Sequence, residues 1–199
     1  MPKLVNHEER KSLIADAVFK LVQEIGFEKL TIRKIAQESG LTLGGVQYYF
    51  SNQQQLYIYA METLLNRTEE RIYDSVKKGD DPLDGVAQML KQLIPSGSDE
   101  QKMEIEAWLQ FAIMARKDMK LNDFNKKVRN STEQLMHHII SILTENELFR
   151  DDLDTNEEAK NLYVFIDGVT IQSILYPYLF DGEEIDVYIK NYLRKITIE

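Results

Sequence analysis

The chain has 199 residues, of which 43% are hydrophobic and 10% aromatic, and this is ample for a buried core without covalent cross-links. It contains no cysteine, so disulfide bonds, thiolate catalysis and cysteine-based zinc sites are excluded, and a reducing cytoplasm is the expected compartment. No apolar run follows a basic start, and no stretch approaches the roughly 20 apolar residues that span a bilayer, which predicts a soluble, untargeted protein.

The formal net charge of −9 argues at first against nucleic acid, because duplex binding depends largely on neutralising phosphates with lysine and arginine. The charge is unevenly distributed. Residues 1–60 carry seven basic and six acidic side chains, so the excess acid lies in the remainder of the chain. The first 60 residues therefore remain a candidate nucleic-acid-binding segment.

The first predicted helix begins near Asn6, which forms a capping-box pattern with Glu9. Apolar residues then recur every three or four positions, and Gly26 ends the pattern. This apolar stripe is expected to be core. It consists of Ile14, Val18, Leu21, Val22 and Ile25.

Residues 30–50 predict two short helices joined by a tight turn. Thr31 and Thr42 are candidate N-caps, and Gly40 can take the left-handed conformation that ends the first helix. The spacing is typical of a helix-turn-helix, although two packed helices of an ordinary bundle would show the same pattern. The inward-facing residues of the second helix are Val46 and Phe50.

The rest of the chain predicts further helices and no strand. Asp81 is a candidate cap, with Pro82 at the first helical position, and Asp181 opens the last helix, which ends near Arg194 and Lys195. These helices cover about 53–78, 82–93, 105–115, 121–145, 156–175 and 182–196. The predicted fold is all-α with nine helices.

The segments Leu-Thr-Ile-Arg-Lys-Ile-Ala (30–36), Gly-Leu-Thr-Leu-Gly-Gly-Val (40–46) and Tyr-Tyr-Phe (48–50), followed by Leu56, resemble the DNA-binding domain of the TetR/AcrR family of bacterial regulators. Further along, Ala-Trp-Leu-Gln-Phe-Ala (107–112) and the segment from Phe165 are similar to the C-terminal domains of BetI-type regulators. The resemblance implies a helix-turn-helix DNA-binding domain over residues 1–52 and a ligand-binding and dimerisation domain over 53–199.

In the family pattern, side chains of both short helices reach the DNA. The amide of Gln47 can pair with adenine and the guanidinium of Arg33 with guanine, while the two glycines allow backbone N–H groups to approach a phosphate. A tyrosine hydroxyl usually donates to phosphate, although one member of the Tyr48–Tyr49 pair could instead pack in the core. At position 53 this chain has glutamine where the family usually has lysine. The predicted DNA-binding residues are Thr31, Arg33, Thr42, Leu43, Gly44, Gly45, Gln47, Tyr48, Tyr49 and Gln53.

Apolar residues from several body helices are candidates for the lining of one effector cavity, although methionine and aromatic residues at helical spacing are more often plain core. The resemblance implies a hydrophobic small-molecule effector. The candidate lining residues are Met89, Leu93, Trp108, Leu109, Phe111, Ala112, Phe124, Val128, Met136, Ile139, Phe165, Ile166 and Val169. Candidates for polar contacts with the effector are Gln110, His138, Tyr163 and Gln172.

The last two helices are apolar on more faces than a monomer needs, and the resemblance implies that they pair with their two-fold mates in a homodimer. A deeper intramolecular core is the alternative. The predicted dimer-interface residues are Ile171, Ile174, Leu175, Tyr188, Ile189, Tyr192 and Leu193.

The resemblance implies a homodimeric, ligand-responsive repressor that binds a palindromic operator in double-stranded DNA. The rival hypothesis is an all-α carrier or enzyme whose helix pair is only structural. The sequence shows no catalytic constellation, no phosphate-binding glycine loop and no cofactor motif. His137 and His138 make a poor metal site, because adjacent helical side chains diverge by about 100°.

Overall fold

The computed structural model describes residues 7–76 and 81–198. This part of the chain forms nine α-helices and one short 3-10 helix, which confirms the all-α prediction for the described residues. The α-helices are α1 (His7–Ile25), α2 (Ile32–Glu38), α3 (Leu43–Tyr49), α4 (Gln53–Val76), α5 (Pro82–Lys91), α6 (Asp99–Ala115), α7 (Met119–Glu145), α8 (Thr155–Leu175) and α9 (Gly182–Ile196), with the 3-10 helix at Phe27–Lys29. Asn6 and the predicted end of α4 at Lys78 lie outside the described residues.

The predicted N-caps are confirmed. The Thr31 hydroxyl accepts a hydrogen bond from the Lys34 N–H, and the Thr42 hydroxyl accepts one from the Gly45 N–H, at 3.3 and 3.0 Å. Side chains also cap α5 and α9, where Asp81 and Asp181 accept backbone N–H groups of the first turn. Each cap satisfies a backbone donor that the helix itself leaves without a partner.

Two helices begin earlier than the sequence predicts, because polar side chains cap them upstream of the apolar pattern. The Ser98 side chain accepts the Gln101 N–H at 3.2 Å, so α6 begins at Asp99 rather than Ile105. Asp118 caps α7 in the same way. Its bond from the Leu121 N–H is the main reason that the pKa of the Asp118 carboxyl lies below its usual value.

The described residues fall into two compact units. The first contains the residues up to Arg67 together with Glu106–Phe124, and the second contains Thr68–Ile105 together with the chain from Asn125 onward. The predicted domain boundary after residue 52 does not coincide with this division. The first two-thirds of α4 and the segment Glu106–Phe124 join the first unit, since their apolar side chains share its core.

The core of the first unit lies beneath α2 and α3. Ile35 from α2 and Val46 from α3 are fully buried, together with apolar residues of α1, α4 and α6. Phe27 of the 3-10 helix makes an edge-to-face contact with Tyr57, with ring centroids 5.0 Å apart. This packing fixes α2 and α3 on a rigid base and leaves their opposite faces in solvent.

The second unit has its own core, built from α5, α7, α8 and α9. It also contains a buried ion pair, in which Arg71 Nη1 of α4 lies 2.9 Å from Glu104 Oε2 of α6. The Glu104 side chain is 0% exposed, and Arg71 Nη2 donates to Thr68 Oγ1 at 2.9 Å. The charge of Glu104 is therefore balanced inside the unit rather than by water.

Gly26 is required by the backbone at the end of α1, where its φ of +74° lies in the left-handed region. We expect Gly26→Ala to lower the free energy of unfolding by about 1–2 kcal/mol, because a Cβ is strained at this φ. Gly85→Ala is the matched control. It lies inside α5 with no atom within 4 Å of a built Cβ, so alanine there should stabilise by about 0.5–1 kcal/mol. Urea unfolding measures the change in the free energy of unfolding for both variants, and the two changes should have opposite signs. Equal changes would contradict the strain at Gly26.

Candidate nucleic-acid interface

One face of α3 is exposed to solvent while the other is buried in the first unit. Leu43, Gly44 and Gln47 are exposed, and Tyr48 is 75% exposed. Nothing lies within 4 Å of a Cβ built on Gly44, so its backbone can be approached closely. Four of the ten predicted DNA-binding residues thus share a surface of α3, and the packed core of the first unit holds that surface in place.

The cap residues and the predicted base-reading arginine lie beside this face. Thr31, Arg33 and Thr42 are exposed. Both threonine hydroxyls accept a backbone N–H, which leaves the hydroxyl hydrogen available to a phosphate oxygen. Gly45 is half-buried, with the Thr42 hydroxyl oxygen 3.1 Å from a built Cβ, so this position favours glycine.

The two adjacent tyrosines take different positions. Tyr48 is exposed, whereas Tyr49 is half-buried and packs against the core of the first unit. The Tyr49 hydroxyl lies 3.0 Å from Nδ1 of His7, the first described residue of α1. The sequence gives no signal for this contact, because the two residues are 42 positions apart.

The Gln53 side chain makes hydrogen bonds within the first unit. Its Nε2 donates to the Leu30 carbonyl at 2.9 Å and to the Tyr57 hydroxyl. Burial raises the pKa of Tyr57 to about 12, so this hydroxyl stays neutral at physiological pH. The Gln53 amide therefore braces the start of α4 against the segment before α2, and its contact with DNA stays a prediction.

The predicted effector-lining residues are distributed over the two cores. Trp108, Phe111 and Phe124 belong to the first core or pack against it, while Leu109, Ala112 and Val128 are buried or half-buried. The others are in the second core or against it, namely Met89, Leu93, Met136, Ile139, Phe165, Ile166 and Val169. Neither unit gathers all thirteen around one cavity, so a common lining stays a prediction.

The first unit contains a cavity of about 730 Å³ that the sequence does not predict. Its walls come from the 3-10 helix, the start of α4, the end of α6 and the start of α7, and include Phe27, Tyr57 and Met114. Gln110, a predicted polar contact for an effector, also lies in its wall. None of the thirteen predicted apolar lining residues does. The volume is within the range of small-molecule sites, roughly 300–1,000 Å³.

The predicted dimer surface divides into exposed and buried residues. Ile171, Leu175 and Tyr188 are exposed. Ile189 and Leu193 are 1% exposed within the core of the second unit, so they stabilise the fold and are removed from the predicted interface. The other two, Ile174 and Tyr192, are half-buried.

Neither a metal site nor a membrane span is found in the part of the chain that the structure describes. No group of three or more metal-ligating side chains comes together among residues 7–76 and 81–198. Over the same ranges, no helix has the length and apolar character needed to cross a bilayer.

Comparison with known proteins agrees with this arrangement. Residues 14–60 match the family model of bacterial regulatory proteins of the tetR family, and residues 82–197 match that of the BetI-type transcriptional repressor C-terminal domain. Among solved structures, a transcriptional regulator from Saccharomonospora viridis in complex with choline has a TM-score of 0.84 at 18% identity, covering 97% of this chain and all of that one. A regulator from Rhodococcus sp. Rha1 has a TM-score of 0.79 at 22% identity, with 94% and 95% covered. These likenesses show the fold.

Two curated relatives extend over almost the whole chain. The HTH-type transcriptional regulator PksA of Bacillus subtilis is 31% identical over 199 residues, which is all of this chain and 95% of that protein. The HTH-type transcriptional regulator BetI of Vibrio campbellii is 24% identical, with 98% of this chain and 96% of that protein covered. Members of this family are regulators and not enzymes, so the rival enzyme hypothesis is set aside. The chain belongs to the TetR family of helix-turn-helix transcriptional regulators.

Proposed function

We propose that this regulator is a homodimeric repressor that binds a palindromic operator through α3 and leaves it when a hydrophobic small molecule binds. The observation that carries the proposal is the solvent-facing side of α3 on a packed support, which suits insertion into the major groove. The site of action of such a DNA-binding protein is the bacterial cytoplasm.

We assign each exposed residue either to a base edge or to a phosphate, according to the chemistry of its side chain. Gln47 and Arg33 carry groups that pair bidentately with purine edges, so we assign them to base reading. Leu43 is suited to contact with a thymine methyl group. The hydroxyls of Thr42 and Tyr49 are assigned to phosphate oxygens, which orient the protein without reading sequence.

This division predicts different outcomes for two substitutions. Gln47→Ala should change the preferred base at one position of each half-site, with about 1–3 kcal/mol of discrimination lost there. Tyr49→Phe should weaken binding to all duplexes alike, because phosphate contacts carry no sequence information. Fluorescence anisotropy with the operator and a set of single-base variants measures both. If Gln47→Ala, like Tyr49→Phe, loses the same affinity on the operator and on every single-base variant, the assignment of Gln47 to base reading is contradicted.

For the effector, the proposal is supported by a relative and by a cavity. The Saccharomonospora viridis regulator of the same fold was solved with choline, and the first unit of this chain contains a cavity whose lining combines apolar residues with charged and amide side chains. In some conformations of a dimer, the two α3 helices are wrongly spaced for the two half-sites of the operator. A ligand that binds such a conformation better lowers the affinity for the operator by the coupling free energy. Release of the operator needs no contact between ligand and DNA.

The effector proposal is tested by titrating a fluorescent operator complex with a panel of hydrophobic compounds, with choline included. Release by a hydrophobic member that follows a saturating curve supports the proposal. Release by choline alone overturns the hydrophobic class of the effector, and failure of every compound to alter the affinity argues against ligand control. DNA binding in the absence of compounds is read in the same experiment and stands apart from both outcomes.

A further inference from the structure

The start of α1 and the end of α3 are joined by a cluster of three aromatic rings. The imidazole of His7 lies 5.7 Å from the Tyr49 ring in an edge-to-face arrangement and 6.3 Å from the Tyr48 ring. Tyr48 and Tyr49 are themselves edge to face at 5.1 Å. Within this cluster, His7 Nδ1 and the Tyr49 hydroxyl are 3.0 Å apart, a hydrogen-bond distance.

This hydrogen bond has little to contribute to folding. His7 is exposed and Tyr49 only half-buried, and a hydrogen bond with access to water contributes about 0.5–1.5 kcal/mol at most. Its position is more informative. It lies at the end of α3 next to Tyr48, on the side of the first unit that we assign to DNA.

The direction of the bond decides what the tyrosine can offer to DNA. A hydroxyl has one hydrogen and two acceptor lone pairs. When Tyr49 donates to Nδ1, its only hydrogen is used. When Nδ1–H donates to the Tyr49 oxygen, the hydroxyl hydrogen is free to be donated to an anionic oxygen. A DNA phosphate oxygen accepts only, so it selects the second arrangement.

We propose that His7 is a positioning residue for DNA binding, in which its Nδ1–H donates to the Tyr49 hydroxyl and that hydroxyl donates to a DNA phosphate. The protonated imidazole always carries a hydrogen on Nδ1 and adds a positive charge near the phosphate, so it strengthens the chain of bonds. The protonated form of His7 is therefore expected to favour binding of the duplex. This inference rests on the proposed role of α3 in DNA recognition.

The pH dependence has a definite sign. Because the protonated imidazole favours binding, the association constant is expected to fall as the pH rises through the range in which an imidazole ordinarily loses its proton, about pH 5–8. Charged side chains follow His7 in the first turn of its own helix. They are Glu8, Glu9, Arg10 and Lys11, and the Lys11 ammonium bonds to Glu8 at 3.0 Å.

Phenol side chains also lie at or near the cluster. Tyr48 and Tyr49 come from α3, and Tyr59 of α4 lies under the Lys11 ammonium, 5.7 Å from its ring centroid. Carboxyl, amine, guanidinium and phenol side chains do not ordinarily change charge in the range where imidazole does. A pH-dependent affinity that disappears with His7 is therefore specific to the imidazole.

The experiment measures duplex affinity of the full chain by fluorescence anisotropy at about pH 6 and about pH 8, at one salt concentration. The wild type is expected to bind roughly tenfold more tightly at the lower pH. His7→Phe keeps a ring in the cluster but has no Nδ1, and it should remove the pH difference. Tyr49→Phe should reduce the difference, because the hydroxyl between the imidazole and the phosphate is lost, and the double variant should lose no more affinity than the weaker-binding single variant. His137→Gln, a half-buried histidine of α7, is the matched control and should keep the difference.

An equal pH difference in wild type and His7→Phe overturns the proposal, as do additive losses in the double variant. A wild type whose affinity does not change with pH overturns it as well. If the wild type binds no duplex at either pH, the proposed function itself fails, which is a different result. Thermal melts at both pH values confirm that each variant is folded, so a lost interaction is not confused with lost protein.

Discussion

Replacing both Leu175 and Tyr188 by glutamate is expected to produce a monomer and to lower affinity for a two-half-site duplex by roughly 100-fold or more. Leu175 is 58% exposed at the end of α8, and Tyr188 is exposed on α9 with its ring stacked on Phe180 at 5.4 Å. Two glutamates on this apolar surface would place four like charges in the interface of a dimer. Light scattering coupled to a sizing column measures the oligomeric state, and anisotropy measures the affinity.

Met119→Glu is the control for this double substitution. Met119 is 80% exposed at the start of α7 and belongs to the first unit, so the change adds surface charge without touching the proposed interface. It should leave both the oligomeric state and the affinity close to wild type. A wild-type protein that is monomeric at micromolar concentration contradicts the proposed dimer, and so does a double variant that remains a dimer.

Removing Arg71 has the largest expected effect on stability. Arg71→Met removes the guanidinium that lies 2.9 Å from the fully buried Glu104 carboxylate, and removal of one partner of such a pair costs up to about 3–5 kcal/mol of unfolding free energy. Replacing Glu104 by glutamine in the same chain removes the buried charge and should recover a large part of that loss. Urea unfolding of the single and double variants measures both quantities.

Lys102→Met is the control for Arg71→Met, and Lys102 lies on α6, the helix that carries Glu104. Lys102 lies 3.7 Å from Asp99 in a pair whose side chains are exposed, and pairs of this kind are worth about 0–1 kcal/mol. If Arg71→Met lowers the free energy of unfolding no more than Lys102→Met does, the importance of the Arg71–Glu104 pair is contradicted. An Arg71→Met/Glu104→Gln double variant as unstable as Arg71→Met would do the same, because the buried charge would then not be the cause.

Local chemistry predicted much of the fold. Caps at Thr31, Thr42 and Asp81 were predictable from the sequence because a side-chain oxygen needs only a neighbouring backbone N–H. Gly26 and Gly40 were readable for a similar reason, since both adopt a positive φ that a Cβ disfavours. Errors at the starts of α6 and α7 came from following apolar spacing rather than the capping side chains.

Contacts between distant segments were not predictable from the pattern. The segment Glu106–Phe124 joins the first unit, and the amide of Gln53 turns inward to the Leu30 carbonyl 23 positions away. Apolar spacing also cannot separate a core from a subunit interface. Within α9, Leu193 is buried in its own unit while Tyr188 is exposed, although both fit the same helical pattern.

In the proposed function, two copies of α3 read two half-sites of one duplex. The decisive experiment is the selection of bound duplexes from a random pool by the purified protein. We expect a palindromic consensus whose half-sites are separated by about one helical turn, roughly 10 base pairs, or a multiple of it. We also expect Gln47→Ala to select a consensus altered at symmetric positions. A pool that shows no enrichment, or an enriched motif without two-fold symmetry that is unchanged by Gln47→Ala, would contradict the proposed function.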